Sequence, residues 1–238
     1  MKAGIISAGE GVRLQADGID TPKPLLNVGG MPLIDRLLKV FAESGVKEVA
    51  CIVNDRNRSV PDHVATLDLS LSIRWIRKST ESSMHSLFEL SPFLEDGPFL
   101  LTTVDSIFDP VEFHRFVVHC RRSKDVDGIL AVSPFVDDEN PLWVQLDPDL
   151  RIVRLGKDLQ STPYVGGGVY YFSPSIFSKR EQALRAGLSR LSRYLGLLVE
   201  SGFRFDAYEF SKIVDVDRAS DIESAEQLLR TLNSVGQR

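Results

Sequence analysis

Lys2-Ala3-Gly4-Ile5-Ile6-Ser7-Ala8-Gly9-Glu10-Gly11-Val12-Arg13-Leu14, followed after a short polar link by Thr21-Pro22-Lys23-Pro24-Leu25-Leu26, is the stretch on which the reading of the chain turns. Ala3 to Ile6 is an apolar run of the kind that a buried parallel strand presents. It opens into a loop of small residues, Ser7 to Gly11. Glycine lacks the Cβ that would keep a phosphate away from the backbone, so such a loop suits close approach to an anion. Arg13 adds a fixed positive charge, and Lys23 adds another. Pro22 and Pro24 stiffen the chain around Lys23 and are expected to keep it out of a helix. Two cations and a Gly-rich loop after the first strand predict a nucleoside triphosphate site.

Two widespread phosphate loops do not match. Gly9 and Gly11 begin a Gly-x-Gly-x-x-Gly pattern, but its third position is Leu14, so the dinucleotide fingerprint fails. No Lys follows Gly11, so the Gly-x-x-x-x-Gly-Lys-Ser/Thr pattern fails as well. Gly9-Glu10-Gly11-Val12-Arg13-Leu14 with Pro22-Lys23-Pro24-Leu25 instead resembles the N-terminal signature of the sugar-phosphate nucleotidyltransferases. That signature is Gly-x-Gly-Thr-Arg-Leu, a spacer and Pro-Lys-Pro-Leu. Val12 stands where the family usually has Thr, which removes a hydroxyl beside the phosphates. The resemblance implies that the loop from Ala8 through Gly9, Glu10, Gly11 and Val12 holds the triphosphate together with Arg13. It also implies that Lys23 lies near the reacting phosphates, so that Arg13 and Lys23 are the catalytic cations. The implied fold is α/β, a doubly wound, mostly parallel mixed sheet flanked by helices on both faces.

The chain has 238 residues, 43% hydrophobic and 26% charged, with a net charge of −5. That balance suits one α/β catalytic domain spanning 1–238 with a sizeable core. A net negative charge gives no general attraction to nucleic acid or to an anionic membrane, so neither is expected as a partner. Cys51 and Cys120 sit in apolar contexts and read as buried free thiols of a reducing cytosol. No leader and no membrane-length apolar run are read, so a cytoplasmic location is expected. The sequence leaves a homo-oligomer open.

Met31 to Phe41 predicts a helix with Leu33, Leu37, Val40 and Phe41 on one face, and Val46 to Val53 predicts the next strand. Asn54 to Ser70 reads as polar and irregular, and Ser72 to Ile76 as a third strand. Ser82 to Leu87 loosely resembles the family's Gly-Thr-Ala-x-Ala-Leu helix start, which faces the base and makes Ser83 a candidate nucleotide contact; simple helix capping fits the same residues. His85 lacks a visible partner and is given no acid or base role. Gly97 to Val104 predicts a fourth strand that delivers Asp105 to its carboxyl end, the edge where open α/β sheets bind ligands. Asp109 and Pro110 are better placed than Asp105 to start the helix from Val111 to Arg122.

Asp127 to Phe135 reads as a strand, Asp137-Asp138-Glu139 as a solvated loop, and Leu142–Leu146 with Arg151–Leu155 as a hairpin around Asp147-Pro148-Asp149. Lys157 corresponds to the Lys of the family's Glu-Lys-Pro, which reaches the acceptor's phosphate, although Gly156 and Asp158 depart from that motif. Tyr164-Val165-Gly166-Gly167-Gly168-Val169-Tyr170 places three glycines at the head of an apolar strand, where backbone approaches a ligand. The resemblance turns Gly167 and Gly168 toward the acceptor. Ser175 to Ser201 reads as mostly helical, with Leu184, Leu188, Leu191, Tyr194, Leu195 and Leu198 as a packing stripe, and Phe203 to Tyr208 as a strand. Val214-Asp215-Val216-Asp217 resembles the family's closing Asp-x-Asp, with Asp221 capping or charging the last helix.

The resemblance makes Asp105 and Asp217 a metal-binding pair, with Mg²⁺ as the cofactor; strand alternation puts Asp215 on the same side, in a shared or structural role. The implied reaction is attack of a sugar 1-phosphate on the α-phosphorus of a nucleoside triphosphate, with pyrophosphate released. Two alternatives stay open: the same transfer to phosphocholine or another non-sugar phosphate, and a binding regulator without catalysis, which Val12 keeps open and the retained carboxylate pair argues against.

Overall fold

Ala3 and Ile5 face one side of the first strand and Gly4 and Ile6 the other, and all four are buried. Burial on both faces is what a central parallel strand requires. The computed structural model describes residues 1–135, 141–159 and 162–235. In chain order its elements begin with β1 (Lys2–Ser7), α1 (Val12–Ala16), β2 (Asn27–Val28), β3 (Met31–Pro32), α2 (Leu33–Glu43), β4 (Glu48–Val53) and α3 (Val60–Val64). Next come β5 (Ser72–Arg77), α4 (Ser83–Leu94), β6 (Phe99–Thr103), β7 (Ser106–Phe108), α5 (Pro110–Arg122), β8 (Gly128–Ser133), β9 (Trp143–Leu146) and β10 (Ile152–Gly156). The chain ends with β11 (Tyr164–Phe172), α6 (Arg180–Arg185), α7 (Leu191–Glu200), β12 (Phe205–Glu209), β13 (Ile213–Asp215) and α8 (Ala219–Val235).

Among the described residues, nine strands form one sheet with the path β10-β9-β11-β6-β1-β4-β5, while β8 joins β11 to β12. β6, β1, β4 and β5 are mutually parallel, β12 is parallel to β8, and β11 runs antiparallel to β6, β8 and β9. The sheet is therefore mixed, as expected, with the parallel run β6-β1-β4-β5 built from residues 2–103. Alternation along β4 sends Val49, Cys51 and Val53 into a core beneath α2, α3 and α5, and Ala50 and Ile52 into a second core beneath α4 and α7. Each large apolar side chain fully buried in these layers stabilises the fold by about 1.5–3 kcal/mol.

A third, smaller core lies at the carboxyl ends of the parallel strands. Leu14 from α1, Val28 from β2, Leu33 from α2, Ile107 from β7, Val214 from β13 and Leu228 from α8 meet there. This cluster ties the first loop of the chain to its last helix.

Several boundaries differ from the sequence reading. The helix expected from Met31 starts at Leu33, because Met31–Pro32 pairs with Asn27–Val28 across Gly29-Gly30. Lys23–Leu25 makes one 3₁₀ turn, so the flanking prolines permit a short helical turn there; Pro24 inside such a turn gives up no needed N–H. Asn54 to Ser70 is not wholly irregular, for it holds a 3₁₀ turn at Asp55–Asn57 and the helix α3. The long helical stretch after Ser175 divides into a 3₁₀ segment, α6 and α7, and Leu184 on α6 is exposed, outside the expected stripe. Asp109 caps α5, its carboxylate accepting from the Val111 amide at 2.8 Å. The acidic loop Asp137-Asp138-Glu139 lies outside the described residues.

Candidate active site

Gly11 takes φ +64 at the start of α1, a conformation that L-residues other than glycine adopt at a cost. The turn it makes places Arg13 on α1, where Nη1 donates to Asp217 Oδ2 at 3.0 Å. The loop before it is held from behind by two buried asparagines. Asn57 Nδ2 donates to the Ser7 carbonyl at 2.8 Å, and Asn54 Nδ2 to those of Ala8 and Gly9 at 2.9 and 3.2 Å. Asn54 Oδ1 accepts from the Asn57 amide at 3.0 Å. Sequence reasoning missed both residues. Their one signal was position, since Asn54 directly follows β4 at the same edge of the sheet as Asp105. Asn54→Ala strands buried polar groups and is expected to cost about 1–3 kcal/mol and to raise the KM for triphosphate; denaturant unfolding and steady-state kinetics check this.

Lys23 lies at the centre of the cleft. Its ammonium donates to Asp105 Oδ2 and to Asp217 Oδ1, each at 2.5 Å, and only a tenth of its side chain is exposed. Burial alone would lower the Lys23 pKa, but Asp105 and Asp217 outweigh it and hold the ammonium well above its ordinary value. Burial likewise opposes charge on Asp105, and the Lys23 ammonium reverses this and holds its carboxyl below the usual range. The two aspartates come from elements far apart in sequence. Asp105 follows β6, and Asp217 lies two residues beyond β13, which pairs with β7 next to Asp105. The Asp221 carboxylate accepts from the Asp217 and Arg218 amides at 2.9 and 2.7 Å and so caps the entry to α8.

The donor set fits a hard divalent cation. Asp105 Oδ1 is buried with no hydrogen-bond partner among the described residues, and Lys23 shows that a positive charge is accepted between Asp105 and Asp217. Among the described residues no cluster of three or more His, Cys, Asp or Glu is arranged to hold a metal. Two carboxylates suit Mg²⁺, which fills its remaining positions with water and substrate phosphates.

The cleft continues on both sides of this cluster. On one side, Gly9, Glu10, Gly11, Val12, Arg13 and Lys23 line a lobe with Ser83 and Asp105, and a neighbouring lobe runs from Ala8 and Glu10 to Ser82 and Ser83. The expected nucleotide residues are thus brought together. Ser83 Oγ accepts from the Leu191 amide at 3.2 Å and links the starts of α4 and α7. Ser82, at the N-terminus of α4, makes no side-chain capping bond to the helix; its Oγ lies 3.0 Å from His85 Nδ1 instead.

On the other side, Lys157, Gly166, Gly168, Tyr170 and Arg190 line a lobe that also reaches Asp105, Asp215 and Asp217. Arg190 was not anticipated; it lies just before α7 among polar residues with no motif to mark it. Gly167 and Gly168 both border the cleft, but the room their missing side chains leave is filled by protein. A Cβ on Gly167 would overlap Ile213, and one on Gly168, at φ +69, would stand 2.5 Å from Ser106 Oγ and 2.7 Å from Thr103 Oγ1. Gly168→Ala is therefore expected to destabilise the fold by about 2 kcal/mol or more, read as a lowered unfolding midpoint.

A Gly-rich loop after β1, two cations and a carboxylate pair thus meet at the carboxyl edge of the parallel strands, where open α/β sheets bind ligands, and comparison with known proteins makes the chain a nucleotidyltransferase. The chain belongs to the family of the MobA-like NTP transferase domain, whose model matches residues 3–196. It is 23% identical over 237 residues to the UTP–glucose-1-phosphate uridylyltransferase AglF of Haloferax volcanii, covering 97% of each chain. It is 25% identical over 201 residues to a probable glucose-1-phosphate cytidylyltransferase of Bacillus subtilis, covering 74% of this chain and 76% of that one. Among solved structures, the inositol-1-phosphate CTP transferase of T. maritima superposes with a TM-score of 0.81 at 22% identity, over 97% of this chain and 95% of the other. That likeness carries the fold. No helix among the described residues is long and apolar enough to cross a membrane.

Proposed function

We propose that the enzyme transfers a nucleoside monophosphate from a nucleoside triphosphate to a sugar 1-phosphate, forming a nucleoside diphosphate sugar and pyrophosphate. The observation that carries this reading is Lys23 held between Asp105 and Asp217 beside the Gly-rich loop. An acceptor-phosphate oxygen attacks the α-phosphorus, and the bond to the β-phosphate oxygen breaks. The nucleophile is already an anion, so no general base is required, and positioning with charge neutralisation carries the rate. The loop from Ala8 to Val12 and Ser83 holds the nucleotide. Arg13 and Lys23 neutralise the β- and γ-phosphates as pyrophosphate leaves, and Lys157 holds the acceptor's phosphate, with Gly167 and Gly168 shaping the wall beside it. Asp105 and Asp217 would hold Mg²⁺, which when bound supplies positive charge to the crowded phosphate oxygens. Two relatives named for glucose 1-phosphate support a sugar phosphate as the acceptor. The reaction consumes nucleoside triphosphates, which supports a cytoplasmic site of action.

Pyrophosphate release with Mg²⁺ tests the proposal, measured across ATP, GTP, CTP, UTP and dTTP with a panel of sugar 1-phosphates and phosphocholine. Release is expected to require one triphosphate and a sugar 1-phosphate together. Triphosphate binding with no release from any pair would overturn it in favour of a binding regulator, and release with phosphocholine alone would overturn the acceptor class.

A further inference from the structure

Asp215 is a charged side chain of the cleft that the proposed reaction leaves without a task. It ends β13 directly opposite Ser106 in the ladder with β7. Ser106 Oγ donates to Asp215 Oδ1 at 2.7 Å and lies 2.9 Å from Thr103 Oγ1, so one carboxylate oxygen is fixed from behind. Among the described residues no hydrogen bond reaches the other oxygen, Oδ2. Gly168 covers this trio, and any side chain there would strike both hydroxyls.

The arrangement is costly as pure structure. Among the described residues Lys23 pairs with Asp105 and Asp217, and Arg13 with Asp217, so no cation is paired with Asp215. An asparagine would accept from Ser106 equally well without a buried charge. A carboxylate retained in such a place points to a ligand group that donates to it.

The neighbours narrow that group. Asp215 lines the lobe of Lys157, Gly166 and Arg190, and Gly156 brings no side chain beside Lys157. Of the carboxylates lining this lobe, Asp105 and Asp217 are bonded to Lys23, which leaves Asp215 to face an acceptor. A quaternary ammonium is recognised by a cage of aromatic rings, and Tyr170 is the sole aromatic among the described residues of the lobe. An acidic group beside Asp215 would be repelled by its carboxylate, with which no cation is paired among the described residues. A neutral hydroxyl donates without adding charge.

We infer that Asp215 accepts a hydrogen bond from a hydroxyl of the acceptor and thereby selects polyhydroxylated phosphates over quaternary-ammonium and acid phosphates. This rests on the proposed transfer reaction and names the acceptor chemistry of the same site. Wild type and Asp215→Asn are compared with Mg²⁺ and each of the five triphosphates, using glucose 1-phosphate, myo-inositol 1-phosphate, glucuronic acid 1-phosphate and phosphocholine. Wild type is expected to favour a neutral hydroxylated phosphate over the last two by about 100-fold in kcat/KM, a comparison that needs no variant. Asp215→Asn keeps the bond from Ser106 and is expected to raise the KM of the acceptor by about 10- to 100-fold, the value of a hydrogen bond to a charged group, with the KM for triphosphate and the Mg²⁺ requirement unchanged. Equal or better turnover of phosphocholine or glucuronic acid 1-phosphate overturns the inference. So does an unchanged acceptor KM in the variant, including the case where the Mg²⁺ requirement moves instead. Turnover with none of the acceptors overturns the transfer reaction itself, and the inference falls with it.

Discussion

Asp105→Ala is expected to lose about a thousandfold in the kcat/KM for pyrophosphate release while keeping its fold. The size follows from the role: removing one preorganised electrostatic group from such a site costs about 10²–10³ in rate, and this one also carries the buried oxygen without a partner. The fold survives because the backbone at this point is held by others. Phe99, Leu100 and Leu101 of β6 are fully buried, the strand pairs with β1 and β11, and the Val216 amide donates to the Asp105 carbonyl at 3.0 Å. Lys23 keeps Asp217 as its counter-ion. Calorimetric titration of Mg²⁺ and a thermal melt separate the two effects: binding is lost and the melting transition stays cooperative. Near-normal turnover would remove Asp105 from the metal pair.

Lys23→Met carries the second large effect, and here stability and catalysis move together. In the free enzyme the Lys23 ammonium is the cation that Asp105 and Asp217 share. Deleting it leaves those carboxylates beside the partly buried Asp215, with Arg13 the one remaining ion-pair partner among the described residues. Breaking a buried pair costs about 3–5 kcal/mol; Asp217 is 42% exposed, and water screens its share, so about 2–3 kcal/mol is expected. A divalent cation can take the vacated place between the carboxylates. The variant is therefore expected to bind Mg²⁺ more tightly than wild type and to gain more thermal stability from it. Turnover falls by about a hundredfold, because the leaving pyrophosphate loses a stabilising charge. Melting curves with and without Mg²⁺ test this, and a variant as stable as wild type and indifferent to the cation would contradict it.

Much of this architecture is legible without coordinates. The apolar run at Ala3–Ile6, the small-residue loop after it and the helical spacing of Leu33, Leu37, Val40 and Phe41 are local signals, and local signals survive folding. Asp109 beside Pro110 marked the start of α5 for the same reason. The places where the reading slipped are those where long-range contacts override local preference. Met31 continues a good helical pattern, yet it pairs with Val28 in a small hairpin. Leu184 keeps helical spacing with Leu188 and Leu191, but the helix breaks between them and Leu184 turns to solvent.

The same division runs through the cleft. By itself the sequence specified the strand–loop–helix entry, the cations Arg13 and Lys23 and the strand that delivers Asp105, because each belongs to a contiguous pattern. Only the tertiary structure put Lys23 between Asp105 and Asp217, set Asn54 and Asn57 behind the loop, brought Arg190 into one lobe with Lys157 and stood Asp215 against Ser106. Those partners lie 46 residues apart for Asn54 and Ala8, and 109 for Ser106 and Asp215. A hydrogen bond or a shared charge over that separation leaves no period and no spacing in the chain; it exists once the sheet has carried its strands' carboxyl ends to one edge.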